Sequence, residues 1–476
     1  MITKMAELYE EICSEILKNK VPDITMDSRE VEKDFLFCAP SEKSHSYIED
    51  ALKRGAKIVL TKQEPQYRGN EVKFFFHSNP REIYHRICSF LWNKQPEYVC
   101  AATGTNGKTS ISSFFSQICV LAGEKAASLG TLGVSSNVRE LNQPLKLTTP
   151  DAADLHKLLD KLAQSAVQYC CLEASSQGIE QKRLDSVRLK AVAFSNLTHE
   201  HLDYHENMDK YFQAKLRLFS DILPDDGTMV LPTLDEYAVR IRQICPNKHV
   251  VTYGNTGDIQ IISQLPNQIG QVLKVKVLDK ELIIPLKVFG KFQGNNLIAA
   301  IGLALSCGID VHNIEYDKIV APIGRMEFIK HPGDRCKIMI DYAHTPDGLQ
   351  HLLLSLKWHF PYNDITLVFG CGGDRDKQKR PLMARIASKM TSKVIITDDN
   401  PRSEAPEKIR KELLHHCPKA LEIDGRQNAI KYAIRTAKPS EIIVITGRGH
   451  ESKQVLKDRI LHISDVHTIQ ETVTTQ

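Results

Sequence analysis

The chain is 476 residues long, which at ~150 residues per domain suggests about three domains. Its 62 Lys and Arg residues against 58 Asp and Glu leave a net charge of +4, too balanced for the basic stripe of a nucleic-acid binder. A composition of 42% hydrophobic and 25% charged residues excludes disorder as the dominant state, and no apolar run approaches the ~18 residues of a membrane-spanning helix, so membrane insertion is not expected.

In chain order, the first twenty residues alternate charged and apolar positions and read as an amphipathic helix, not as a signal peptide. A polar, proline-containing seam follows at Asn93-Lys-Gln-Pro-Glu97. Tyr98–Thr103 reads as a strand running into a glycine turn, and Ser110–Ala122 as a helix stopped at Gly123. Further strands are predicted at Cys170–Ala174, Ala191–Asn196, Lys337–Asp341, Ile365–Phe369, Lys393–Thr397 and Ile442–Thr446. Most end in Asp, Thr, Gly or Asn, residue types suited to ligand loops at the carboxyl edge of a parallel sheet. Residues 245–290 are strand-rich and are expected to form a side sheet. A second seam lies near Pro322-Ile-Gly-Arg325. The expected class is α/β, with domains at 1–97, 98–323 and 324–476. The 12 cysteines are scattered without a CxxC pair, which argues against structural zinc and for buried thiols in a reducing cytoplasm.

The strongest local signal is Thr103-Gly-Thr-Asn-Gly-Lys-Thr109, between a predicted strand and a predicted helix. That is the context a phosphate loop requires. Gly104 and Gly107 let backbone N–H groups turn inward on phosphate oxygens. Lys108 supplies a cation, and the Thr109 hydroxyl suits Mg²⁺. Ala102 stands where the full pattern has its leading glycine.

The run Gly104-Thr-Asn-Gly-Lys-Thr109 resembles the Mur ligase family, the ATP-dependent amide ligases of peptidoglycan precursor synthesis, and the related folylpolyglutamate synthetases. Leu172-Glu-Ala-Ser-Ser176, His201-Leu-Asp-Tyr-His205, Gly324-Arg-Met-Glu327, Asp341-Tyr-Ala-His-Thr-Pro-Asp347, Gly370-Cys-Gly-Gly-Asp-Arg-Asp376, Asp399-Asn-Pro-Arg402 and Gly447-Arg-Gly-His-Glu451 follow in family order. The resemblance implies three domains: one for a UDP-sugar, a central parallel-sheet ATPase domain with the phosphate loop, and a Rossmann-like C-terminal domain for an amino acid. It further implies a cytoplasmic, monomeric enzyme using ATP and Mg²⁺, whose partners are UDP-N-acetylmuramoyl-L-alanyl-D-glutamate and meso-diaminopimelate, joined through an acyl-phosphate.

Site residues follow from the same resemblance. ATP is expected at Gly104, Thr105, Asn106, Gly107, Lys108, Thr109 and Ser110, with Asn296, Arg325, Asp341 and His344. Lys108, Lys215, His201, Glu173 and Arg325 are the expected catalytic set. Thr109, Glu173, His201 and a carbamylated Lys215 are the expected Mg²⁺ ligands. By its own sequence context Glu173 reads as a solvated strand-end carboxylate, His201 as structural, and Lys215 as a lysine at the border of a helix's buried face. The UDP-sugar is expected at Ser28, Thr148, Thr149, Ser175, Gln181 and Arg183, although Asp27-Ser-Arg29 alone is a common surface turn. Diaminopimelate is expected at Arg375, Asp399, Asn400, Pro401, Arg402, Gly447 and Glu451, with Arg402 offering a guanidinium fork to the distal carboxylate. The rival readings are a lysine-adding or other ligase on the same scaffold, an ATP-hydrolysing phosphate-loop switch, and a catalytically dead relative.

Overall fold

The computed structural model describes residues 2–66, 71–330 and 336–474. In chain order its strands include β1 (Ile24–Thr25), β2 (Leu36–Ala39), β3 (Ile58–Thr61), β4 (Lys73–Phe76), β5 (Tyr98–Thr103), β6 (Ala126–Gly130), β7 (Gly133–Ser136), β8 (Tyr169–Glu173), β9 (Ala191–Phe194) and β10 (Thr228–Pro232). They continue with β11 (His249–Gly254), β12 (Ile259–Asn267), β13 (Gly270–Val277), β14 (Lys280–Leu286), β15 (Glu327–Ile329), β16 (Lys337–Asp341), β17 (Ile365–Phe369), β18 (Lys393–Ile396), β19 (Leu421–Glu422) and β20 (Ile442–Thr446). The predicted strands are all present, most with bounds within a residue of those expected. Among the described residues these strands form a sheet of order β1-β2-β3-β4, a ten-stranded sheet of order β14-β13-β12-β11-β10-β9-β5-β8-β6-β7, and a sheet of order β15-β16-β20-β17-β18-β19.

The chain divides into two compact units. The first comprises residues 1–101, 124–192 and 214–227. Its β1–β4 sheet is parallel throughout. Because side chains alternate across a strand, Leu36 and Cys38 join Ile58, Leu60 and the helices on one face, while Phe37 and Ala39 join Val59 and Ile48 on the other. The amphipathic helix Ile2–Asn19 buries Ile12 and Ile16 in the first of these layers, as its periodicity predicts.

The second unit comprises residues 102–123, 193–213 and 228–476. Here the helix Lys108–Leu121 packs on the helix Lys291–Ser306. The helix starts at Lys108, two residues before the expected Ser110, because Gly107 adopts a left-handed conformation and caps it. The strand-rich tail 245–290 does not form a separate side sheet. β11 pairs in parallel with β10, and β12–β14 continue the same sheet as an antiparallel meander. Alternating burial along β13 suits a flank with one wet face, and the backbone groups of β10 need partners in either case. The expected parallel central sheet is therefore mixed. The last sheet is parallel apart from its edge strand β15. Both its faces are covered: Met339, Leu367, Phe369 and Val444 lie in one layer, and Ile338, Ile340, Val368 and Ile445 in the other. This is the doubly wound arrangement expected of the C-terminal region. All twelve cysteines are buried and unbridged.

Arg426 and Asp465 tie this last sheet's helices together. Both side chains are 0% exposed, the guanidinium reaches both carboxylate oxygens at 2.7 and 2.8 Å, and Arg426 Nη2 also donates to Thr446 O at 2.8 Å. Removing one partner strands a buried charge. Arg426→Ala should lower unfolding free energy by about 3–5 kcal/mol, read as an earlier denaturant transition by circular dichroism.

Candidate functional site

In the second unit, β5 delivers the chain into the loop Gly104–Gly107. The glycines have φ of +143° and +92°, a region L side chains rarely adopt. A Cβ at Gly107 would lie 2.6 Å from Asn296 Oδ1. The end of β9 clamps the loop from outside. Thr105 N donates to Asn196 O at 2.9 Å, Asn106 N to Asn196 Oδ1 at 3.0 Å, and Ser195 Oγ to Asn106 O at 2.5 Å. The Thr105 hydroxyl bonds Thr198 O and lies 3.2 Å from the Tyr211 hydroxyl. Lys108 Nζ folds back onto the carbonyls of Gly104 and Thr105, both at 2.9 Å. Ser195, Asn196 and Thr198 were not anticipated. Their signal is a strand ending in consecutive polar residues.

A cavity of about 370 Å³ opens beside this loop. Of the expected ATP residues, Asn106, Gly107, Thr109, Ser110, Asn296, Arg325 and Asp341 line it, joined by unanticipated Asp235, Asp347 and His351. Arg325 Nη2 donates to Thr109 Oγ1 at 3.3 Å, and its guanidinium lies over the Tyr342 ring. Asp341 accepts from the backbone N–H of Met326 and Ala343, fixing the turn that follows β16, and burial pushes its carboxyl up. Asn106 Nδ2 donates to Asp347 Oδ2 at 2.9 Å.

His344 is not among the cavity's lining residues. Its Nε2 lies 3.1 Å from Oε1 of Glu200, a residue not singled out from the sequence. Burial would raise the Glu200 carboxyl, but the His344 hydrogen bond and the charges of His344, His201 and Lys108 hold it well below the usual range. His201 adopts φ +56° and packs edge-on against Tyr211.

In the first unit, Glu173 ends β8 at 2% exposure and is not the solvated carboxylate its sequence context suggests. Thr131 N and Oγ1 donate to its two oxygens at 2.8 and 3.1 Å. Thr148 meets the Thr131 hydroxyl, and Thr149 Oγ1 bonds Glu173 O and the Ser175 hydroxyl. Arg183 donates to Thr149 O and to Gln181 Oε1, both at 2.7 Å. Five of the six expected UDP-sugar residues thus gather with Glu173. Ser28 sits apart in hydrogen bonding, in the Asp27-capped turn Ser28–Glu30, where its hydroxyl lowers the Asp50 carboxyl. Lys215, expected at the border of a buried face, is only 1% exposed. Phe212, Leu216 and Phe219, nearby in the sequence, are buried as well.

The residues expected to meet the amino acid form a third group, in the second unit. Asn400 Nδ2 donates to Glu451 Oε2 at 3.0 Å, and the Tyr342 hydroxyl to Oε1 at 3.4 Å. Burial pushes the Glu451 carboxyl up. A Cβ at Gly447 would lie 2.7 Å from Asp399 Oδ2. Arg402, at φ +52°, donates through Nη1 to Gly373 O at 2.7 Å, following Pro401 in a loop that faces the one bearing exposed Arg375.

A strand, an inward-turned glycine loop and a helix beside a cavity define a phosphate-loop nucleotide-binding α/β protein. The Mur ligase middle domain matches residues 102–304, and the Mur ligase glutamate ligase domain matches residues 324–449. A relative from Anaplasma marginale, named UDP-N-acetylmuramoyl-L-alanyl-D-glutamate–2,6-diaminopimelate ligase, is 42% identical over 93% of this chain and 94% of its own length. A solved structure of a ligase bearing that same name is 31% identical, covers 96% of this chain and 95% of its own, and superposes with a TM-score of 0.67. The MurF ligase of Thermotoga maritima in complex with ADP, 14% identical, covers 95% of this chain and 97% of its own and shares the fold at a TM-score of 0.66. The chain belongs to the Mur ligase family.

Gly107→Ala places a methyl against Asn296 and an L residue at φ +92°. Left-handed backbone alone costs about 1–2 kcal/mol. Nucleotide affinity should fall about 10-fold or more while the far-ultraviolet circular dichroism stays that of the wild type, as checked by calorimetric titration with ADP.

Proposed function

We propose that this chain, an ATP-dependent ligase by family, adds meso-2,6-diaminopimelate to UDP-N-acetylmuramoyl-L-alanyl-D-glutamate in the cytoplasm. The observation that carries the reading is the grouping of Asp399, Asn400, Arg402, Gly447 and Glu451 in a chain 42% identical to a ligase of that name. A carboxylate oxygen of the D-glutamyl group takes the γ-phosphoryl group of ATP and ADP departs. The amine of the incoming amino acid then attacks the acyl carbon, and phosphate leaves as the amide forms.

The chain's own groups have separable tasks. Loop backbone N–H groups other than those of Thr105 and Asn106, which donate to Asn196, bind phosphate oxygens together with the Lys108 ammonium, and Arg325 neutralises charge on the transferring group. Arg183 holds an anionic part of the UDP-sugar. Mg²⁺, when bound, would supply further neutralisation of phosphate charge. Each unit offers hard oxygen donors of its own for such an ion: Glu173 and a Lys215 carbamate in the first, the Thr109 hydroxyl in the second. His201 offers a nitrogen, so its role as a ligand rests on family resemblance. The 1% exposure of Lys215 supports the carbamate: a side chain that does not reach solvent needs a role inside the protein. Arg402 Nη1 is held by Gly373 O, which leaves Nε and Nη2 to face a carboxylate. Glu451 takes the distal amine. Domain limits of 1–97, 98–323 and 324–476 remain our working division for UDP-sugar, ATP and amino-acid binding.

Phosphate release from ATP, measured with UDP-muramoyl dipeptide plus meso-diaminopimelate, lysine or neither, tests the whole reading. Rapid release is expected with diaminopimelate alone. Equal rates with lysine would make this a lysine-adding enzyme, and equal rates with neither would make it a phosphate-loop ATPase. Lys108→Ala should abolish ligation. Lys215→Ala should lose most activity and recover part of it with added short carboxylic acids. Arg402→Ala should lower kcat/KM for diaminopimelate by about 10–100-fold, the worth of a charge-assisted hydrogen bond, with KM for ATP little changed.

A further inference from the structure

The two loops that present Arg375 and Arg402 are locked to each other by an ion pair, buried on its arginine side, that none of the roles above requires. Arg380, in the first turn of the helix Lys379–Met390, has a side chain 2% exposed. Its guanidinium forks onto Glu404, with Nη2 at 2.9 Å from Oε1 and Nη1 at 3.2 Å from Oε2. Nη2 also donates to Gly372 O at 3.1 Å, and Nη1 to Glu412 Oε2 at 2.8 Å. Glu404 Oε1 receives Asp374 N at 2.7 Å. Around this pair the loops are stitched by Gly373 N to Asn400 O at 2.9 Å, Arg402 Nη1 to Gly373 O at 2.7 Å, and Ser403 N and Oγ to the Asp374 carboxylate at 3.0 and 2.6 Å. One residue in each loop is left-handed without being glycine: Asp374 at φ +53° and Arg402 at φ +52°. Such backbone persists only where its surroundings over-determine it.

We propose that Arg380 and Glu404 act as a clamp that fixes the spacing between Arg375 and Arg402 and so sets which amino acid the enzyme accepts. Both are positioning residues, since neither need touch substrate. The clamp rests on the assignment of Arg402 to the incoming amino acid. Guanidinium forks recognise carboxylates by geometry. A shift of the Arg402 loop against the Arg375 loop would therefore spoil recognition of a distal carboxylate while leaving the phosphate loop untouched. The Arg380 hydrogen bonds hold the Glu404 carboxyl at about 2, so the pair stays charged at any pH at which the enzyme would be assayed.

Initial rates with ATP and UDP-muramoyl dipeptide saturating, and with diaminopimelate or lysine varied, test this on the full chain. The variants are Glu404→Gln, Arg380→Lys and Arg402→Ala. Glu404→Gln keeps shape and removes charge. It should raise KM for diaminopimelate about 10-fold or more, lower the diaminopimelate-to-lysine ratio of kcat/KM, and leave kcat and KM for ATP little changed. Arg380→Lys keeps the charge but loses the fork and should fall between wild type and Glu404→Gln. Unchanged KM for diaminopimelate in Glu404→Gln, with Arg402→Ala impaired, overturns the clamp alone. A joint loss in kcat, KM for ATP and melting temperature also overturns it, in favour of a purely structural pair. An unchanged ratio in Arg402→Ala overturns the parent assignment and the clamp with it. Should Arg380→Lys fail to fold, Glu404→Gln decides.

Discussion

Backbone N–H groups bind phosphate only where the chain turns them inward, and that demand at Gly104–Thr109 governs much of the second unit. The carbonyls of the loop must find other partners. Lys108 covers those of Gly104 and Thr105, and Ser195 covers that of Asn106. The positive φ angles exclude Cβ atoms, so neighbouring groups close in where side chains would stand. Asn296 approaches Gly107 from the helix Lys291–Ser306, and Ser195 and Asn196 approach Gly104 from the end of β9. The polarity of these packing partners follows from what they face, a backbone whose N–H and C=O groups both need partners.

Buried charge does a second kind of work around the last sheet. Arg426 with Asp465, Arg380 with Glu404 and Glu412, and Arg410 with Asp398 and Glu422 each anchor segments that leave the carboxyl ends of β17, β18 or β20. A hydrophobic contact in these places would tolerate sliding. A forked ion pair fixes distance and orientation together, and its disruption leaves a charge without solvent. That is the property a loop bearing the proposed specificity residues needs. Asn400, which bonds both Glu451 and Val455 N, extends the same rigidity toward the amino-acid group.

The near-neutral charge of the whole chain conceals how differently its acids are placed. Glu173 is buried but met by both donors of Thr131, Glu200 is held low by its histidine and lysine neighbours, and Glu451 is pushed up by burial. Glu200 and Glu451 thus differ in opposite directions in the ease with which they take a proton.

Sequence alone determined what depends on short-range rules. Strand limits followed from apolar runs. The phosphate loop followed from two glycines between a strand and a helix, and the α/β layering from strands alternating with helices, while the Rossmann-like form of the last domain was implied by the family resemblance. The family followed from ordered motifs, and the proposed site residues rest on the same motifs. Tertiary structure decided what depends on residues far apart in the chain. The 245–290 strands alternate in the same way whether they form a side sheet or extend the main one, and only the open edge of β10 settles which. Lys215 has the helical position of a border residue, but packing on all sides buried it. Glu200 meets His344 across 144 positions, Asn106 meets Asp347 across 241, and Arg380 meets Glu404 across 24. None of these pairs leaves a periodic or local trace, because a hydrogen bond or ion pair constrains where two side chains meet in space and not how far apart they stand in sequence.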